Sequence, residues 1–185
     1  MSQPVLFAVS VLTLLAVPGP TNTLLAGAGA TRGLRASLVL LIGELAGYVI
    51  AIATLRWALG AVVNQPGTQV LLKSAVVAYL AFLAIRLWQA PPNRGSTAFT
   101  VRRVFVTTLL NPKGFIFAIF IFPPPPTPIA AYFVAFSAMV VAVGATWIIG
   151  GWMLTRFAGS RFNLVAPRIC ACALAVFAIV VVSGL

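Results

Sequence analysis

Few polar side chains interrupt the apolar stretches of this chain, and Glu44 is the most informative of them. It is the only carboxylate side chain in the sequence, and it lies within the apolar stretch 36–55. An ionised carboxylate alone in hydrocarbon is costly, so it must be protonated, paired with a cation such as Lys113, or facing water. We therefore predict that Glu44 handles a proton. The alternative is a neutral carboxyl that bonds a neighbouring backbone and only holds helices together. The flanking Gly43 and Gly47 are predicted to serve helix packing.

A break in the helical pattern surrounds Lys113. Asn111, Pro112 and Lys113 interrupt the apolar stretch 104–122, which is otherwise long enough to cross a bilayer. Asn is a preferred N-cap, and Pro is a preferred first helical residue. The tripeptide therefore predicts a helix that starts in mid-membrane with Lys113 on its first turn. The alternative is a cytoplasmic loop.

A matching break occurs near the N-terminus. Pro18, Gly19 and Pro20 interrupt the first apolar stretch, and Gly19 with Pro20 is suited to serve as cap and first helical residue. The alternative here is a simple kink. At about 1.5 Å per residue, counting inward from the predicted cytoplasmic ends places Gly19, Glu44 and Asn111 all about 10 to 14 Å deep. Polar breaks in hydrocarbon must line a cavity or be buried in protein, so three polar features at one depth predict one site.

The composition indicates an integral membrane protein. Hydrophobic residues make up 62% of the 185 positions and charged residues 7%, whereas a soluble domain is about half apolar and about a quarter charged. Twelve Lys and Arg stand against one acid, which gives a formal charge of +11. Most of these basic residues fall in short gaps between apolar stretches, where they orient a membrane protein. We therefore expect a lipid bilayer as a partner and no nucleic acid.

The apolar stretches predict an all-α fold with six transmembrane helices in a single domain, 1–185. The predicted spans are 5–28 and 104–122, each with a break, and 36–55, 70–87, 129–154 and 169–185. Nine of the twelve basic residues fall on one side of this arrangement, and loops rich in positive charge stay in the cytoplasm. Both termini are therefore predicted to be non-cytoplasmic.

The two breaks also predict internal repeats. Pro20 and Pro112 are 92 positions apart, so the halves 1–90 and 100–185 each open with a broken helix followed by two unbroken ones. An odd number of spans in each half inverts the second copy. Inverted repeats with discontinuous helices hold substrate near the midplane, where half-helix N-termini face anionic groups and freed carbonyls face cations.

A series of short motifs covers nearly the whole chain, and they are Pro18-Gly19-Pro20-Thr21-Asn22, Gly33, Gly43-Glu44-Leu45-Ala46-Gly47, Tyr79-Leu80, Leu110-Asn111-Pro112-Lys113 and Phe122-Pro123. This series resembles the LysE/RhtB family of bacterial amino-acid exporters. Family members often carry Asp or Asn directly after Pro-Gly-Pro, whereas Thr21 intervenes here. The resemblance implies six spans, a place in the bacterial cytoplasmic (inner) membrane, and efflux of amino acids or related small solutes driven by the proton motive force.

A zwitterionic amino acid suits a site between the two breaks. We expect its carboxylate to meet backbone N–H groups after Pro20 and Pro112, helped by Lys113. Its ammonium is expected to meet Glu44 and carbonyls freed before the breaks. Proton coupling also falls to Glu44, because the sequence has no Asp and no His to share a relay. The predicted substrate-binding residues are Pro18, Gly19, Pro20, Asn22, Asn111, Pro112 and Lys113.

The residues argue against an enzyme. Intramembrane hydrolysis needs an acid pair, a Ser-His arrangement or a metal cluster, and the adjacent Lys73 and Ser74 point apart on a helix. We therefore expect no catalysis, no cofactor and no bound metal. A divalent-cation exporter is the runner-up, although hard cations want several oxygen ligands and one carboxylate is available. A non-transporting membrane subunit and assembly into a homo-oligomer both stay open.

Overall fold

The structure, a computed structural model, describes residues 3–59, 99–124 and 127–157, with isolated positions between 67 and 89 and Cys172. Every regular element in these ranges is a helix, which confirms the all-α prediction for this part of the chain. The helices are α1 (Gln3–Ala16), α2 (Pro20–Arg32), α3 (Leu34–Ser37), α4 (Leu40–Leu59), α5 (Val101–Leu109), α6 (Pro112–Ile116) with the π-helical turn Phe117–Ile121 that continues it, and α7 (Ala130–Phe157). Apart from isolated positions, the predicted spans 70–87 and 169–185 lie outside the described residues, so the six-span and repeat arrangement stays a prediction.

Two of the described helices are long and apolar enough to cross a membrane. They are Leu34–Trp57, which joins α3 to α4, and Ala130–Arg156 within α7. Two further pairs of helices reach the same length and hydropathy when each pair is taken as one bent unit. The pair α1 and α2 is bent by 61°, and the pair of α5 and α6 with its π-helical turn is bent by 48°. The described residues thus supply two to four spans, which suits the molecule to insertion in a bilayer.

The local sequence accounts for both bends. Gly19 is the extended N-cap of α2, with φ −156° and ψ −180°, and Pro20 is the first helical residue. Asn111 is the extended N-cap of α6, with φ −78° and ψ 127°, and Pro112 is the first residue of that helix. Proline has no N–H and clashes with the preceding turn, so neither helix continues through its break. Both predicted caps and both predicted first residues are confirmed.

Small residues bring the helices into close contact in two pairs. A Cβ on Gly43 would lie 2.5 Å from the Val101 carbonyl oxygen, and one on Gly47 would lie 2.9 Å from that of Phe105, so α4 lies directly against α5. A Cβ on Gly29 would overlap the backbone of α7. Such residues permit close helix approach within membranes. The predicted packing role of Gly43 and Gly47 is confirmed.

Two apolar clusters fill the interior of the described region, and each draws on all four helical units. The first consists of Phe7, Val11, Leu14, Leu15, Tyr48, Ile52, Ile116, Phe117, Ala118, Phe122, Phe136 and Val140, and the second of Leu25, Ala28, Leu40, Leu41, Val104 and Ile148. The four units are α1 with α2, α3 with α4, α5 with α6, and α7. Along each of them, the chain passes from one cluster to the other. The two breaks, Glu44 and Gly144 all lie at these crossing points, so a polar layer lies between two apolar ones.

Candidate functional site

Six buried polar side chains of the described region lie in this layer, at the breaks or on α4 and α5. They are Thr21, Asn22, Glu44, Thr108, Asn111 and Lys113, and each is at most 5% exposed. Their shared position agrees with the common depth predicted for Gly19, Glu44 and Asn111. Burying so many polar groups is costly unless they bond one another or a ligand. The partners of each group therefore decide what the layer does.

The first break leaves the carbonyl end of α1 open, and two side chains bind it. The Asn22 amide donates to the carbonyl oxygens of Leu15 and Val17, over 2.9 Å in each case. The Lys113 ammonium, which comes from the second break, donates to the Val17 carbonyl and lies 3.5 Å from the Leu15 carbonyl oxygen. The last carbonyls of a helix lack partners within it and carry partial negative charge, which favours a cation. Lys113 therefore ties the two breaks together.

A series of hydroxyl groups makes a second link between the breaks. Asn111 Nδ2 donates to Thr21 Oγ1 over 3.2 Å, and the hydroxyl oxygens of Thr21 and Thr108 are 3.1 Å apart. Thr108 already donates its one hydroxyl hydrogen to the Val104 carbonyl, over 2.8 Å. The Thr21 hydroxyl is therefore the donor to Thr108. All donors in this buried series point in the same direction, from α6 through α2 to α5.

The predicted substrate-binding residues divide by burial. Gly19, Asn22, Asn111 and Lys113 are buried, and Pro18, Pro20 and Pro112 are half-buried. The buried four lie together: a Cβ on Gly19 would be 3.5 Å from Lys113 Nζ, and the Lys113 N–H donates to Asn111 Oδ1 over 3.1 Å. In this conformation the carbonyls and one N–H that we expected to bind solute are bonded to the layer's own side chains.

Glu44 enters the same layer from α4. It is 2% exposed, and its Oε2 has no hydrogen-bond partner among the described residues. The carboxyl is seated against α7 at Gly144, where an added Cβ would overlap Oε2. An unsatisfied buried polar group costs about 1–3 kcal/mol, so the unbonded oxygen argues against a role as helix glue alone.

Tyr48 lies one helical turn after Glu44, and its residue type alone does not predict a role in the site. It is fully buried, and its hydroxyl also has no hydrogen-bond partner among the described residues. Its ring makes edge-on contacts with Phe117 and Phe136, with centroids 5.6 Å and 6.0 Å apart. Residues four apart on a helix lie on one face, so the spacing of Glu44 and Tyr48 was the available signal.

No family model, curated protein or solved structure matches this chain. The resemblance to the LysE/RhtB exporters therefore rests on the sequence motifs. In the described ranges, no group of three or more His, Cys, Asp or Glu side chains comes together in the way that a metal site would require.

Proposed function

We propose that this protein is a secondary transporter of the bacterial cytoplasmic membrane that exports amino acids or related small zwitterionic solutes, with both termini outside the cytoplasm. The observation that carries the proposal is a buried ammonium group and a buried carboxyl group in one polar layer. The Lys113 ammonium binds the carbonyl end of α1, and the Glu44 carboxyl is 2% exposed in the same layer. A zwitterion presents one charge of each sign to such a pair. The motif resemblance supports the same class of solute.

The solute binds by taking over contacts that the polar layer makes with itself. Its ammonium has the same chemistry as that of Lys113, so the two compete for the carbonyls of Leu15 and Val17. Displaced Lys113 meets the solute carboxylate, together with N–H groups at the starts of α2 and α6. Binding thus replaces a direct link between the two breaks by a link through the solute. The contact between the two broken helices therefore differs with and without bound solute. Alternating access requires such a difference, because a solute shifts a conformational equilibrium only when it binds the two states differently.

Glu44 carries the coupling proton in this scheme. It is the only acidic side chain in the sequence, and protonation removes the negative charge that attracts the solute ammonium. A proton that enters from outside therefore favours release of the solute there. Loss of that proton to the cytoplasm restores the binding form.

The first test is flux from cells that overproduce the protein. Cells are loaded with dipeptides, and the amino acids that leave are identified over time. We expect at least one amino acid to leave faster than from cells that produce Glu44→Gln at a matched level. If divalent metal ions leave and amino acids do not, the runner-up is correct. If nothing leaves, the protein is a non-transporting subunit.

The coupling role of Glu44 needs purified protein in liposomes, with and without an imposed pH gradient. Glu44→Gln keeps the shape of the side chain and mimics its protonated form. We expect this variant to lose export driven by the gradient while it retains exchange of labelled solute between equal pools, which moves no net protons. Gradient-driven export by Glu44→Gln at the wild-type rate would falsify the coupling role.

A further inference from the structure

Two buried polar atoms on one face of α4 have no hydrogen-bond partner among the described residues. They are Glu44 Oε2 and Tyr48 Oη. Side chains four residues apart on a helix lie one above the other. Glu44 is 2% exposed and Tyr48 is 0% exposed, so neither side chain turns to the surface. Native proteins bond nearly all their buried polar atoms, and two exceptions on adjacent turns call for one explanation.

The surroundings of these two atoms are shaped to hold them. α7 presents Gly144 to the carboxyl, where an added Cβ would overlap Glu44 Oε2. α7 also presents Phe136 to the Tyr48 ring. Phe117, the first residue of the π-helical turn, contacts the same ring, and the two ring centroids are 5.6 Å apart. π-helical turns within α-helices are frequent at functional sites. The carboxyl and the tyrosine ring are thus held in place by α6, its π-helical turn and α7, while Oε2 and Oη have no hydrogen-bond partner in the part of the chain that the structure describes.

We propose that Glu44 Oε2 and Tyr48 Oη form one binding site for a primary ammonium group. The carboxylate oxygen accepts hydrogen bonds, and the phenol oxygen accepts one as well as donating one. A primary ammonium has three N–H donors, so it binds both atoms and keeps a donor for a third partner. A quaternary ammonium has the same charge and no N–H, so it satisfies neither atom. We assign the amino group of an exported solute as the natural ligand, and this assignment rests on the proposed function. The site makes Tyr48 a specificity-determining residue.

The test measures binding in detergent solution, where there is neither a gradient nor flux. Purified protein is titrated in a calorimeter with ethylammonium and with tetramethylammonium. We expect tetramethylammonium to bind the wild type at least about tenfold more weakly than ethylammonium, because hydrogen bonds to charged groups contribute at least that factor. Tyr48→Phe keeps the ring and removes the hydroxyl, and we expect it to weaken ethylammonium binding about tenfold. Gly144→Ala places a methyl group where Oε2 lies, and it should weaken the same binding.

Tyr132→Phe and Gly150→Ala are matched controls. Tyr132 is half-buried, and its ring makes an edge-on contact with Phe7 at 4.8 Å. Gly150 lies on α7, and an added Cβ there meets nothing within 4 Å. Both variants should bind ethylammonium as the wild type does. Equal ethylammonium affinity in the wild type and Tyr48→Phe overturns the proposal, as does equal wild-type affinity for the two ammonium ions. If Gly144→Ala does not fold, the Tyr48→Phe comparison still decides.

Failure of this inference and failure of the proposed function give different results. Ethylammonium binding that depends on Tyr48, without export of any amino acid, upholds the site and refutes transport. Gradient-driven export together with undiminished ethylammonium binding by Tyr48→Phe upholds transport and refutes the site.

Discussion

The two helix breaks satisfy their freed backbone groups in different ways. The second break caps itself, because the Asn111 side chain accepts the Lys113 N–H over 3.1 Å. The first break has no side-chain cap at Gly19, and its carbonyls are bound by Asn22 and by the ammonium of Lys113. The first break therefore takes a cation from the second. The second break is capped by its own Asn111, so its Lys113 ammonium is available to bind the carbonyls of the first break.

In the proposed scheme, this difference allows two similar breaks to bind the two ends of a zwitterion. The offset of 92 positions that pairs Pro20 with Pro112 also pairs Thr21 with Lys113. Positions that are equivalent by this offset thus carry different chemistry. The first break offers acceptors, and the second break offers a cation. A site with identical breaks would hold two groups of one kind, and it would not distinguish the two ends of an amino acid.

The largest effect is expected when the shared cation is removed. Lys113→Met is one atom shorter and uncharged, and among the described residues it leaves the carbonyls of Leu15 and Val17 to Asn22. Hydrogen bonds to charged groups contribute about 1.5–3 kcal/mol, so we expect a lower Tm in detergent. We also expect solute export in liposomes, at matched protein, to fall at least about tenfold. Lys113→Arg is not expected to restore export, because a planar guanidinium does not replace a compact ammonium.

Arg56→Met is the matched control for the loss of this cation. Arg56 also binds carbonyls at the end of a helical segment, those of Ala118 over 3.1 Å and Pro123 over 2.8 Å. It lies on α4 beyond the first apolar cluster and outside the polar layer. We expect Arg56→Met to lower Tm and to leave export per folded molecule near the wild-type value. Equal losses of export in the two variants would show that the location of the cation is irrelevant.

An intermediate effect should separate the two asparagines. Asn22 acts as a donor to two carbonyls, over 2.9 Å each, whereas Asn111 accepts from Lys113 and donates to Thr21. Changing either residue to Asp keeps its acceptors and leaves at most one donor, the hydroxyl of a protonated carboxyl. Asn22→Asp therefore places an oxygen against at least one of the two carbonyl oxygens, and we expect it to cost about 1–3 kcal/mol. Asn111→Asp keeps a favoured N-cap and loses one hydrogen bond, about 1 kcal/mol.

Thermal unfolding of the two Asp variants in detergent measures this difference. Both introduce one acid at a buried position, so the cost of burying an acid is common to the two and largely cancels. A larger fall in Tm for Asn22→Asp supports the contrast between a break that depends on donors and a break that caps itself. Equal falls, or a larger fall for Asn111→Asp, would mean that the breaks are held alike.

Features that depend on neighbouring residues could be predicted from the sequence. Gly19 and Asn111 act as caps because capping is decided by residues adjacent in the chain. The shared layer of Glu44 and the breaks follows from the fixed rise of a helix. Gly43 and Gly47 show a packing face because their spacing places them on one side of α4.

Features that depend on how helices cross could not be predicted in this way. That Lys113 reaches the carbonyls of α1 follows from how α6 lies beside the first break, and no spacing in the chain encodes this distance. Thr108 joins the hydroxyl series only because α5 packs on α2. Gly144 has no local sign of its role, since the carboxyl that it accommodates belongs to Glu44, 100 positions earlier. In the sequence Tyr48 is an ordinary buried aromatic residue, and only the structure shows that its hydroxyl has no hydrogen-bond partner among the described residues.

The smallest effect is expected in the second link between the breaks. Thr21→Val is nearly isosteric and removes the hydroxyl that accepts from Asn111 and donates to Thr108. We expect a cost of about 1 kcal/mol, measured as a fall in Tm in detergent. Thr31→Val is the matched control on α2, because its hydroxyl bonds the Gly27 carbonyl over 2.8 Å at an exposed position within the same helix. That change should be close to neutral.

A double-mutant cycle shows whether these hydroxyls act as a unit. Thr108→Val removes the acceptor that Thr21 uses, so each single change leaves a buried group without its partner. Once both hydroxyls are gone, neither is left unsatisfied by the loss of the other. The double variant Thr21→Val with Thr108→Val should therefore lose less stability than the two single losses added together, by about 0.5 kcal/mol or more. Strictly additive losses would mean that the hydroxyls contribute independently.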